Sequence, residues 1–278
     1  MRERPAGPGA AEVIRSPTNQ TLKHVRSLQH RKSREAEGAF VVEGRRALQD
    51  ALAAGARPRL VLLREDVAAG LPEPGLPARV PVRIVAPALF DALSATVTPQ
   101  GVLAVFPIPA LPLGAPRAPL FAIFDRIRDP GNLGTLLRSA AGAGATGALL
   151  TAGSVDPYSP KVVRAAMGAH FRLPIRSLTP ELEEEIRVAC PLRVVADAAA
   201  TLPYDALDWT QPAALIVGSE ATGPSAEMLA LATRDVSIPL AGGVESLNAA
   251  VAGSIILFEA ARQRRRGPRR SARPVREC

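Results

Sequence analysis

The stretch FDRIRDPGNLGTLLRSAAGAGATGALL, residues 124–150, decides how the C-terminal half of the chain is read. It contains a formal G-x-G-x-x-G at Gly142, Gly144 and Gly147, the pattern of a dinucleotide-binding turn. In that motif the glycines follow a strand directly and open a helix. Here they close a helix and precede the next apolar run, which makes Gly144 a C′ cap and Gly147 a turn residue. The start of the helix is the better ligand end. Asp129-Pro130-Gly131 leads into Asn132, placed as an N-cap before an apolar stripe of Leu133, Leu136, Leu137 and Ala140. At about 100° per residue, Arg138 lies roughly 150° from the centre of that stripe, on the side of Thr135 and Gly142. Taken alone, such a position describes a solvated charge.

Outward from this stretch, apolar runs of strand type alternate with helix-type runs. Towards the C-terminus come TGALLTAG (strand), SPKVVRAAMGAH (helix), RLPIRS (strand), PELEEEIRVA (helix), LRVVADA and AALIVGSE (strands) and AEMLALA (helix). RDVSIPL (strand) and a long final helix from Ser246 follow. This alternation predicts a mostly parallel sheet covered on both faces. Upstream, PIPALPLGAPRAP (107–119) holds five prolines and reads as a linker. Before it, AFVVEG, RLVLLRE, VPVRIVA and GVLAVFP alternate with RRALQDALAAG and PALFDAL, a small α/β domain. NQTLKHVRSLQHRKSREAEG opens that domain as one basic helix, with Leu22, Val25 and Leu28 on one side. The expected division is a disordered N-terminus at 1–16, a domain at 17–107, a linker at 108–118, a domain at 119–264 and a basic tail at 265–278.

Composition narrows the class. The net charge of +8 sits at the ends: residues 261–278 carry eight Arg and one Glu, and residues 1–47 carry ten Lys/Arg against five Glu. Basic ends on a near-neutral body suit attachment to a polyphosphate, or a solvated tail. Lys23, Arg26, Arg31 and Lys32 on the basic helix are the candidate polyphosphate contacts. With aromatics at 4 %, base-stacking surfaces are not indicated. Two cysteines make no disulfide framework and three scattered histidines no metal cluster, so no metal is expected. No apolar run reaches the ~18–20 residues of a membrane span, and the N-terminus has no secretory h-region. A reduced cytoplasmic compartment is expected.

Two further stretches join the first. ALIVGSEATGPS (214–225) is a buried strand ending in Gly218-Ser219-Glu220 with a turn at Gly223. SIPLAGGVESLNAAVAGSIILFEAARQ (237–263) is a strand, a glycine turn and then Ser246-Leu247-Asn248 before a helix of small residues. Free backbone N–H groups at such a helix start, and an Ala/Gly/Ser face, allow close approach of a ligand or another backbone.

In this order, NLGTLLRSA, GSEATGPS and IPLAGGVESLNAAVAGSI resemble the SpoU (TrmH-like) family of SPOUT RNA methyltransferases. GSVDPYSPKVVRAAMGAHFRLPI (153–175) looks like that family's intervening segment, and the N-terminal domain resembles the ribosomal-protein-like RNA-binding domain of many members. The resemblance spans nearly all of 17–264. Ala249 and Ala250 depart from it, standing where members often have larger or hydroxylated residues. It implies an α/β fold with a parallel sheet and a C-terminal trefoil knot, a homodimer, and transfer of a methyl group from S-adenosyl-L-methionine to a ribose 2′-hydroxyl. It places Val217, Gly218, Gly223, Ile238, Pro239 and Leu247 at the cofactor. Asn132, Arg138, Glu220, Ser246 and Asn248 fall around the reacting centre. A guanidinium holds its proton too tightly to be a good base, so Arg138 is expected to clamp phosphate and stabilise the developing alkoxide. The separate N-terminal domain points to ribosomal RNA (23S); tRNA is the alternative, and a non-catalytic RNA-binding protein the reading outside enzymes. The closing helix, apolar at Ile255, Ile256, Phe258 and Ala260, is the expected dimer surface.

Overall fold

The computed structural model describes residues 12–68, 75–96, 98–114, 116–220 and 222–266. The chain forms two compact units that interleave in sequence: Met1–Ala110 with Asp156–Arg172, and Leu111–Val155 with Leu173–Cys278.

The first unit holds a five-stranded mixed sheet. Its strands are β1 (Val13–Ile14), β2 (Ala39–Glu43), β3 (Leu60–Arg64), β4 (Val82–Val85) and β5 (Val102–Pro107), in the order β1-β4-β3-β5-β2. β4 runs parallel to β1 and β3, while β5 is antiparallel to β2 and β3. Strand periodicity sorts the core into two layers. Leu62, Leu103 and Val105 face α1 (Gln20–Ser27) and α4 (Pro87–Asp91), meeting Leu22, Val25 and Phe90. Phe40, Val42, Val61, Leu63 and Phe106 meet Leu48 and Ala51 of α3 (Arg45–Ala53).

That second layer also takes in Val163 and Phe171. They come from α6 (Pro160–Ala166) and the 3₁₀ turn Ala169–Phe171, which follow far later in sequence. Phe40 lies 5.2 Å from the ring of Tyr158, 5.6 Å from His170 and 5.7 Å from Phe171, and Phe106 packs on Phe171 at 4.8 Å. Arg34, 4 % exposed, pairs with Asp156 from this same segment and donates to the Leu28 carbonyl at 2.8 Å.

Several expectations are corrected here. The basic helix is two helices, α1 and α2 (Arg31–Glu37), broken at His30, whose backbone is extended, and the Arg34 guanidinium turns inward to the Leu28 carbonyl and Asp156. Val13–Ile14, expected within a disordered N-terminus, pair with β4; residues 1–11 lie outside the described residues. The helix expected over 159–170 stops at Ala166, where Met167 and Gly168 take left-handed conformations.

The second unit is a six-stranded, all-parallel sheet. Its strands are β6 (Leu120–Phe124), β7 (Gly147–Leu150), β8 (Ile175–Ser177), β9 (Leu192–Ala196), β10 (Ala213–Val217) and β11 (Arg234–Val236). The order is β11-β9-β10-β6-β7-β8, so β10 is slotted between β9 and the first strand of the unit. β6 and β10 are buried along their whole length, as central strands covered on both faces must be. One face carries α5 (Pro130–Gly142) and α9 (Ala249–Arg266), held by Ser139–Ser254 at 2.7 Å and by Gly253. A Cβ at Gly253 would lie 2.7 Å from Leu136 Cδ2 and 3.0 Å from Val217, so the helix approaches only because no side chain is there. Opposite, α7 (Pro180–Ala189) and α8 (Ala226–Leu231) cover Phe121, Ile123 and Ile216 with Ile186, Met228 and Leu231.

The α5 stripe is buried as its spacing predicts, with Leu133, Leu136, Leu137 and Ala140 all at 0 % exposure. Gly144 takes φ +75° as the C′ cap, but Gly147 opens β7 instead of forming a turn. α5 starts earlier than expected: Asp129 is the N-cap, its Oδ1 accepting from the Asn132 N–H at 2.8 Å, and Pro130 fills the first turn. α9 starts later, at Ala249, and runs through Arg266, past the expected onset of the tail; residues 267–278 lie outside the described residues. Arg264 is tied to the carbonyls of Ala118, Pro119, Trp209 and Gln211, which makes it structural. Ile256 and Ala260 are buried within the chain, so only Phe258 and, in part, Ile255 remain of the expected dimer face. Among the described residues no helix is long and apolar enough to cross a membrane.

Candidate functional site

In parallel sheets, ligands bind beyond the carboxyl ends of the strands. A cleft of about 440 Å³ lies there in the second unit. It is built from the ends of β9 (Ala196, Asp197, Ala198), β10 (Val217, Gly218, Ser219, Glu220) and β11 (Val236, Ser237, Ile238), closed by Ser246, Leu247 and Asn248 ahead of α9. Gly218 is required by crowding. A Cβ there would collide with the backbone of Gly223 and Pro224, because the chain folds back on itself after β10. Gly223, at φ +63°, makes that return, its N–H donating to the Ser219 carbonyl at 2.9 Å.

Three side chains from three distant segments meet at the cleft edge. The Asn132 amide donates to the Glu220 carboxylate, and the Asn248 amide donates to Asn132 Oδ1 at 3.1 Å. Asn248 is simultaneously the cap of α9, its Oδ1 accepting from the N–H groups of Ala250 and Val251 at 2.9 and 3.2 Å. This capping fixes the Asn248 amide so that its Nδ2 faces Asn132. Asp129 does the same for Asn132 by setting the start of α5. The arrangement is a carboxylate whose position is fixed through two amides, beside a cleft lined largely by short side chains and backbone.

The SpoU rRNA Methylase family model matches residues 119–258, half of the chain and the whole of this cleft. The chain belongs to the SpoU rRNA methylase family. A second model, the MRM3-like substrate binding domain, matches residues 19–104. Human mitochondrial rRNA methyltransferase 3 is 36 % identical over 84 % of this chain and 69 % of its own length. The 23S rRNA (guanosine(2553)-2′-O)-methyltransferase RlmP of Bacillus subtilis is 32 % identical over 88 % of this chain and 97 % of its own. Among solved structures, the SpoU methyltransferase AviRb from Streptomyces viridochromogenes in complex with the cofactor AdoMet superposes with a TM-score of 0.79. It is 32 % identical, covering 90 % of this chain and 100 % of that one.

For this SpoU family member, the expected residues fall into three groups. Val217, Gly218, Glu220, Gly223, Ile238, Ser246, Leu247 and Asn248 line the cleft, and Asn132 is bonded to two of them. Pro239 is not among the lining residues, although Ile238 and Leu240 on either side are. Arg138 stands apart: it is exposed on α5, outside the cleft lining, with no hydrogen bond or ion pair to a described residue. Lys23, Arg26, Arg31 and Lys32 are exposed in the first unit, and Arg31 is paired with Glu35 at 2.7 Å. Sequence reasoning missed Ala196, Asp197, Ala198, Val236 and Ser237. The signal was available, since these are the C-terminal ends of two strands read correctly as strands.

Proposed function

We propose that this chain is an S-adenosylmethionine-dependent RNA 2′-O-ribose methyltransferase acting on ribosomal RNA, working as a homodimer in the cytoplasm. The observation that carries the reading is the convergence of Asn132, Glu220 and Asn248 on a cleft whose walls are strand ends and backbone. Relatives that match most of this chain are rRNA methyltransferases, which favours ribosomal RNA over tRNA. The cleft fits the cofactor: about 440 Å³ lies within the roughly 300–1,000 Å³ of small-molecule sites. Val217, Gly218, Gly223, Ile238 and Leu247 would hold it, and when bound it supplies an activated methyl group. Asp197 adds a carboxylate to the same wall.

The residues of this chain then have to orient the ribose and manage its proton. Alignment alone is worth several kcal/mol for a methyl group that is already activated. The amide chain from Asn248 through Asn132 holds Glu220 in place, and Ser246 offers a hydroxyl at the same edge. Arg138 clamps the phosphate beside the reacting ribose through its guanidinium and stabilises the developing alkoxide. The C-terminal part of the second unit is proposed to be threaded as a trefoil knot, in keeping with β10 slotting between β9 and β6. The proposed homodimer uses the exposed side of α5 and α9. Gly142 and Phe258 share that side, since a Cβ at Gly142 would lie 3.3 Å from the Phe258 ring, and Val251 and Phe258 are each 46 % exposed. Arg138 therefore belongs to the seam. Exposed Lys23, Arg26, Arg31 and Lys32 make the first unit the RNA-capturing one.

Mapping 2′-O-methylated nucleotides by mass spectrometry in rRNA from a deletion strain tests the assignment. One site losing its ribose methyl supports it; an unchanged map overturns it. Arg138→Ala should abolish transfer while cofactor affinity stays near normal.

A further inference from the structure

Asp125, at the end of β6, is 1 % exposed and outside the cleft lining, yet it grips the cleft from behind. Its backbone N–H donates to the carbonyl of Val217, the last residue of β10, at 2.9 Å. Its carboxylate Oδ2 accepts from the Ser225 N–H at 2.6 Å, and Ser225 is the N-cap of α8. One residue therefore holds both ends of the turn between Val217 and Ser225, which carries Gly218, Glu220 and Gly223 into the cleft. The turn's other bonds are mostly internal: Gly223 N–H to the Ser219 carbonyl, and the Ser219 and Thr222 hydroxyls at 2.9 Å. Outside them, the Glu220 carboxylate meets Asn132.

The second carboxylate oxygen is also engaged. Oδ1 accepts from the Thr151 hydroxyl at 2.7 Å, and Thr151 Oγ1 accepts in turn from the Arg126 N–H at 2.9 Å. Arg126 sits at φ +52°, a left-handed conformation that a non-glycine residue keeps only where its surroundings impose it. Charge-assisted bonds of this kind in a dry setting are strong and directional. The ends of β6, β7 and β10 and the start of α8 are thus fixed to a single anion.

We infer that Asp125 is a positioning residue for the cofactor: it sets the Val217–Ser225 turn and thereby the affinity of the cleft for S-adenosylmethionine. The inference rests on the cofactor reading of the cleft. Replacing Asp125 by Asn preserves size but leaves one oxygen for two donors, so either the Ser225 N–H or the Thr151 hydroxyl loses its acceptor.

Titration calorimetry with S-adenosylmethionine on the full chain decides it, with Ile186→Ala as a control destabilised in the core away from the cleft. Asp125→Asn should weaken binding by about tenfold or more, the loss expected for one stranded buried donor. Its RNA affinity should be unchanged, and Ile186→Ala should bind the cofactor within about twofold of wild type. Absence of binding by the wild type would overturn the cofactor reading, and this inference with it. A wild type that binds, with Asp125→Asn within about twofold of it, overturns only the inference; so does an equal loss in Ile186→Ala. Should Asp125→Asn not fold, Thr151→Val removes one donor to the same carboxylate at nearly constant shape, together with the acceptor of the Arg126 N–H. A several-fold loss then supports the inference, and unchanged affinity overturns it.

Discussion

The two units of this chain use polar groups in opposite ways. In the first, the polar residues that matter are sealed inside: Arg34 with Asp156, and His170 between Phe40 and Tyr158. Its exposed Lys23, Arg26, Arg31 and Lys32 are the contacts proposed for RNA. In the second, Asn132, Glu220 and Asn248 are brought to the edge of an open cleft, and the buried anion Asp125 stands behind them. On the proposed function, this contrast makes capture and chemistry separable by mutation. Damage to the first unit should register as stability or RNA affinity, and damage to the second as cofactor affinity or turnover.

The largest expected effect is in the first unit. Arg34→Ala strands the Asp156 carboxylate, which is 15 % exposed, and should cost about 3–5 kcal/mol in urea denaturation. Refolded variant protein should still bind S-adenosylmethionine normally; a cofactor defect would break the separation. Next is Gly218→Ala in the second unit. The added methyl group meets the backbone of Gly223 and Pro224, and cofactor affinity should drop on the order of 100-fold while RNA affinity holds. Near-normal cofactor binding by this variant would remove the turn from the site.

Protonation sharpens the comparison at smaller scale. Burial pushes His170 down to about 4, and its Nε2 meets the Pro157 carbonyl at 2.7 Å. The unfolded chain takes up this proton near pH 6.5, whereas the folded chain resists until about pH 4. Stability should therefore fall as pH drops below 6.5, by about 2 kcal/mol at pH 5, and His170→Gln should flatten that slope. Identical pH profiles for the two proteins would mean that the imidazole is not sealed. Replacing Arg26, Arg31 and Lys32 together gives the mildest outcome. RNA binding should weaken and its salt dependence flatten by about one unit of slope or slightly less per lost phosphate contact, with methylation restored at low salt. An unchanged slope moves capture to other basic residues.

Strands and apolar stripes were legible in the sequence because each is a local pattern. β6, β10 and the Leu133–Ala140 face needed only periodicity, and Gly218 and Asn248 only their place in ordered motifs. What escaped depends on partners distant in the chain. Nothing local says that Arg34 turns inward to an Asp 122 residues later or that the backbone is extended at His30, which is why one helix was expected where two exist. Asn132 has the chemistry of a cap, but Pro130 fits the first turn better and moves that role back to Asp129. Ile256 and Ala260 looked like surface because residues 249–258 of α9 are small or apolar on every side; which side α5 and β10 cover is a tertiary fact. Strand order was unreadable for the same reason.

On the proposed function, the Asn132–Glu220–Asn248 edge serves methyl transfer to a ribose hydroxyl of rRNA. Its most direct test is incubation of the purified chain with unmodified rRNA and methyl-labelled S-adenosylmethionine, followed by nucleoside mass spectrometry. One 2′-O-methylated nucleotide is expected, lost in Asn132→Ala although that variant still binds cofactor and RNA. Label on a base, no label, or full transfer by Asn132→Ala would contradict it.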